Sequence, residues 1–155
     1  MKIATKLGMA AVVALGAMSP AHAADIKVGM ILPYSGVYAG IGKEITRAFE
    51  LGLEVFGSEV NGRKIVLVQA DTEGKPNSGL AKTKKLIHSD KVDVLVGPVS
   101  SGVLAAMRDT VHNAKVPFVI ANAGHDGISG AKCSPWIVRT SFSNRQIVRP
   151  MGKWM

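Results

Sequence analysis

Short β-branched runs closed by Gly or Pro alternate along this chain with longer segments of helical period. Ile26–Leu32 (IKVGMIL), Lys64–Ala70 (KIVLVQA), Val92–Val96 (VDVLV) and Val116–Ala121 (VPFVIA) are apolar at nearly every position. That pattern suits strands buried on both faces of a parallel sheet. The intervening segments read differently. In Gly42–Phe56, Ile45, Ala48, Phe49, Gly52 and Phe56 fall on one helical face, with Lys43, Glu44, Arg47, Glu50 and Glu54 largely elsewhere. Asn77 or Ser78 can cap a second helix whose Leu80, Thr83 and Ile87 face inward while Lys82, Lys84 and Lys85 face water. Ser100 or Ser101 caps a third, with Leu104, Met107 and Val111 on its buried stripe. A fifth strand, Trp136–Thr140, follows a polar loop. The alternation predicts an α/β fold: a parallel sheet flanked by helices and joined by right-handed crossovers.

The N-terminus has a different character. Lys2 and Lys6 precede an apolar run, Leu7 to Met18, that ends at Ser19-Pro20 and is followed by Ala21-His22-Ala23. A basic start, a short apolar stretch and a small–x–small exit make a secretory signal peptide cleaved after Ala23. The run is well short of the ~20 residues that span a bilayer, so the mature chain is expected to be exported and not membrane-spanning.

Composition then removes several classes. The formal charge is +8, but basic and acidic residues nearly cancel between Asp25 and Ala131. The excess lies in the leader and in Lys132, Arg139, Arg145, Arg149 and Lys153. A nucleic-acid site needs a basic patch interleaved with stacking aromatics, which this spread-out tail does not supply. Cys133 is the only cysteine, so no internal disulfide forms. A buried structural role is expected for it, thiol catalysis needing a base for which His125 is the only near candidate in sequence.

Known chemical motifs fit poorly. Gly36 and Gly42 are one residue too far apart for a P-loop, and Glu44 stands where Ser or Thr would bind the metal. Gly40-x-Gly42 begins a dinucleotide fingerprint that Ile45 breaks. Asp71 ends the second strand, where an acid holds a ribose in some folds and caps a turn in others. There is no Gly-x-Ser-x-Gly elbow, and no His or Cys spacing suits a metal. No cofactor or metal is expected, and the chain reads as a binder, not an enzyme. Its ligand belongs at the carboxyl ends of the strands, in Pro33–Ile41, Gly97–Ser101 and Asn122–Asp126. The two serines after Gly97-Pro98 offer hydroxyls and helix N–H groups to a carboxylate, or serve only as a helix cap.

These residues resemble a known family. VGMILPYSG (Val28–Gly36), GIGKEITRAFELGLE (Gly40–Glu54), VDVLVGPVSS (Val92–Ser101), KVPFVIANAG (Lys115–Gly124) and CSPWIVRTSFSNRQ (Cys133–Gln146) are similar, in order, to periplasmic solute-binding proteins of ABC importers of the Leu/Ile/Val-binding type. The resemblance implies a two-lobed clamp whose first lobe spans 24–142, with 143–155 opening the second, so that the chain is an N-terminal portion unable to form a closed cleft alone. It implies that Ser101 donates its hydroxyl to the ligand, and that Ala123, Gly124 and His125 line the same site. Ile41 stands where branched-chain binders have an aromatic, and His125 where they have a small hydroxyl residue. The implied ligand is a branched-chain amino acid or a related small carboxylate, with an aromatic acid as the alternative, and the implied partner is a membrane permease. Ser143–Met155 would be a helix with Pro150 near its start or kinking it, and Ile147, Met151 and Trp154 on an apolar face. A ligand-sensing domain feeding a receptor is the rival from another class, and an exported enzyme using His125 or Cys133 the third.

Overall fold

The computed structural model describes residues 24–152 and Trp154; the expected signal peptide lies outside the described residues. Six strands, β1 (Ile26–Leu32), β2 (Glu59–Val60), β3 (Arg63–Asp71), β4 (Val94–Gly97), β5 (Phe118–Ile120) and β6 (Ile137–Arg139), form one sheet. Their order is β2-β3-β1-β4-β5-β6. The helices are α1 (Ala39–Phe56), α2 (Pro76–His88), α3 (Ser101–Ala114) and α4 (Asn144–Met151). β3, β1, β4, β5 and β6 run parallel, as the sequence predicts. The addition is β2, which pairs antiparallel with β3 through a turn where Asn61 and Gly62 both hold positive φ. Two residues are too few to show a period, so only the Asn-Gly dipeptide announced the hairpin.

The sheet has a different cover on each side. Leu86, Ile87, Val103, Leu104, Met107 and Val111 from α2 and α3 pack on Ile31, Leu95, Phe118 and Ile120. Gly79 lets these two helices touch, because a Cβ there would run into Val103. On the opposite face, Ile45 and Phe49 of α1 lie over Val28, Met30, Leu32 and Val96.

Three local expectations need correction. In α1, Ala48 and Phe56 are exposed, Phe56, the last residue of the helix, by 90%. Thr46 is buried in their stead, its hydroxyl donating to Gly42 O and taking up the Tyr34 hydroxyl. α2 starts at Pro76, after Lys75, not at Asn77 or Ser78. Proline pre-sets the first helical φ, and Ser78 Oγ turns back to Glu73 instead. In α4, Pro150 lies near the C-terminal end, and Ser143 and Gln146 form a reciprocal capping box at the start. The expected apolar residues Ile147, Met151 and Trp154 are all exposed, which needs no correction, since the face they were expected to form has no sheet among the described residues to cover it.

Candidate functional site

β1 feeds α1 on one face of the sheet, while its parallel neighbour β4 feeds α3 on the other. Their exit loops therefore part and leave a crevice at the carboxyl edge, the place where open α/β sheets bind ligands. Pro33–Tyr38 forms one bank and Pro98–Ser101 the other.

The first bank is fixed by Asp71. Its Oδ1 accepts N–H groups from Tyr34 at 2.8 Å and from Glu73 at 2.7 Å, joining the loops after β1 and β3. Burial alone would raise the Asp71 carboxyl, but the donors from Tyr34, Glu73 and Ser35 outweigh it and hold the group below its ordinary value. Asp71 thus serves as a turn cap. The Tyr34 hydroxyl is pushed up, chiefly by burial.

The second bank begins at Gly97, whose φ of +133° aims the chain sharply away from β4. Ser100 occupies the N-cap of α3, yet its side chain makes no capping hydrogen bond. The N–H groups of Ser101, Gly102 and Val103 have no acceptor within the helix, and they gather at its positive end. Beside them, Ala123 N donates to Pro98 O at 3.0 Å, so the loop after β5 is stapled to the loop after β4.

Among the expected site residues, the structure gathers Ser101, Ala123 and Gly124. Asn144 links them: its N–H donates to Gly124 O at 2.7 Å and its Nδ2 to Ser101 Oγ at 3.2 Å. Ala123 is buried, and its N–H is already spent on Pro98. Among the described residues, the N–H groups of Gly124 and His125 have no partner. The His125 ring folds back on its own turn, Nδ1 accepting Gly127 N at 3.1 Å, which leaves the ring proton on Nε2. Arg139 fastens the His125 carbonyl. Ile41 stands on the first turn of α1, directly after the first bank, and is 42% exposed.

Cys133 is exposed, contrary to the buried role expected of it. Arg108 explains this, since its guanidinium holds the carbonyls of Lys132 and Cys133 and so secures the loop by its backbone while the thiol faces out. Asn144 and Phe142 were not singled out from the sequence. The Ser143-x-x-Gln146 capping box was the available signal, since it fixes Asn144 as the first helical residue beside the loop of Gly124.

Comparison with known proteins places the fold. A benzoate-bound ABC-transporter solute-binding protein from R. palustris is 45% identical, with a TM-score of 0.80, over 84% of this chain and 36% of that one. A second, from Rhodopseudomonas palustris BisB5 in complex with 3,4-dihydroxy benzoic acid, is 35% identical with a TM-score of 0.76, over 84% of this chain and 35% of that one. The Leu/Ile/Val-binding protein homolog 7 of Brucella abortus is 34% identical over 76% of this chain and 30% of its own length. The chain therefore spans about a third of the length of the relatives it matches. Residues 25–155 match the family model described as "Periplasmic binding protein". With strand order, crevice and sequence in accord, the chain belongs to the periplasmic binding protein family.

Proposed function

We propose that this chain carries the first binding lobe of the solute-capture component of an ABC importer, and that its ligand is a small carboxylate, with an aromatic acid favoured. The supporting observation is the convergence of the Ser101 hydroxyl, the uncapped first turn of α3 and the N–H groups of Gly124 and His125. These are hydrogen-bond donors without a counter-charge, the equipment for an oxygen anion. The aromatic preference draws on the two benzoate-type relatives above, one of them the benzoate complex at 45% identity. Phe142, whose ring edge would lie 2.9 Å from a Cβ on Gly124, supplies an apolar aromatic surface beside the donors.

The family works in the periplasm, and among the described residues no helix is long and apolar enough to cross a membrane. On this reading the leader is removed after Ala23, the chain binds without turnover, and the loaded protein docks on a membrane permease. Calorimetric titrations with benzoate, 4-hydroxybenzoate, leucine and isoleucine, carried into the millimolar range because the first lobe by itself is expected to hold a ligand weakly, test the ligand class. Benzoates should bind, and Ser101→Ala should weaken them by roughly tenfold or more, the loss of a charge-assisted hydrogen bond. Heat from leucine or isoleucine with none from the benzoates would shift the assignment to branched-chain amino acids.

A further inference from the structure

Asn144 touches both binding loops at once, and the chemistry of its amide decides what Ser101 can do. A hydroxyl has one proton and two lone pairs. Asn144 Nδ2 donates into Ser101 Oγ, so that oxygen acts as an acceptor towards Asn144 and keeps its own proton for another group. Among the described residues that proton has no acceptor, and the first turn of α3 presents N–H groups, not carbonyls, around it.

The turn that carries Asn144 is held in place from several directions. The Asn144 backbone N–H is fixed on Gly124 O, and its Oδ1 lies against Gly124, where a Cβ would collide with it. Arg145 N donates to Asp126 Oδ1 at 3.2 Å, and the Ser143–Gln146 capping box secures the same turn.

We infer that Asn144 is a positioning residue that turns the Ser101 proton towards the crevice, where a carboxylate oxygen can accept it. This rests on the ligand reading given above. A neutral amide suits the task, since an Asp at this position would take the Ser101 proton for itself and repel an anion.

Two measurements on the full chain test the assignment. The first needs no ligand: Ser101→Ala should shift the side-chain amide signals of Asn144 in a proton–nitrogen correlation spectrum, and unmoved signals overturn the inference. The second is a benzoate titration of Ser101→Ala, Asn144→Ala, Asn144→Asp and the double variant Ser101→Ala/Asn144→Ala. Asn144→Ala should weaken benzoate roughly three- to tenfold, and Asn144→Asp should weaken it further. The double variant should bind no worse than Ser101→Ala alone, because Asn144 acts through Ser101; additive losses would mean a merely structural role and overturn the inference. Unchanged or tighter binding by Asn144→Ala also overturns it, since an amide turned end for end would have been consuming the Ser101 proton. A wild-type chain that ignores benzoate, while Ser101→Ala still moves the Asn144 amide, refutes the ligand reading and upholds the Asn144–Ser101 assignment.

Discussion

The carbonyl oxygen of Ile31 lies where a Cβ on residue 97 would have to stand, and Gly97 itself holds φ at +133°. Sterics and backbone conformation therefore demand glycine independently. Gly97→Ala should lower stability by about 3 kcal/mol or more, seen as a fall in the urea midpoint, because the offending neighbour is the backbone of β1 and cannot step aside.

Gly124 is constrained by a different partner. A methyl group there would meet Asn144 Oδ1 and the Phe142 ring, both part of the segment that leads into α4. Gly124→Ala should displace that segment, cost about 1–3 kcal/mol in stability, and weaken benzoate binding about tenfold or more. Paired thermal melts and calorimetry separate the two effects.

Asp71 gives the fold an acid-sensitive joint. Burial works against its charge, but N–H donors from Tyr34, Glu73 and Ser35 prevail and lower the carboxyl's proton affinity in the folded state. A group lowered on folding adds stability above its unfolded value of about 3.9 and loses it as pH falls through the folded value. Asp71→Asn should therefore reduce the urea midpoint at neutral pH, with the difference from wild type shrinking steadily below about pH 4.

Arg108 holds the Lys132 and Cys133 carbonyls at 3.0 and 2.7 Å through Nε and Nη2, the paired donors of one guanidinium edge. A lysine ammonium has three donors but radiates them from one atom, without the rigid parallel pair that matches the two carbonyls. Arg108→Lys should speed amide exchange across Gly130–Trp136 and lower stability by about 1 kcal/mol, leaving benzoate binding unchanged.

The sequence made some of this legible and hid the rest for identifiable reasons. β1 falls on Ile26–Leu32 in both readings, because both faces are buried and the run is closed by Pro33. The ends of the other predicted strands shift by one or two residues, in part because flanking apolar positions such as Val92 and Val116 pack beside the sheet without pairing in it. Side-chain periodicity placed Ile45 and Phe49 correctly but could not show that Phe56 stands exposed at the helix end. It also could not foresee Thr46 buried, because that burial is made possible by Gly42 O and Tyr34 OH. At the site, Asn144 ties the loops of Ser101 and Gly124 together, the His125 ring is committed to Gly127, and Ile41 stands on the first turn of α1. Asn144 escaped notice because the capping box marks it only as a first helical residue, while its nearness to Ser101 and Gly124 depends on how the chain after β6 turns back over the loops.

β1 pairs with Ile65 onward on one side and Val94 onward on the other, yet it is the first of the three strands to leave the ribosome. The innermost strand must wait for both neighbours until Gly97 has been synthesised. Until then the apolar faces of Val28, Met30, Ile31 and Leu32 have no completed sheet to share, so the central pairing of the fold is a late event in its synthesis.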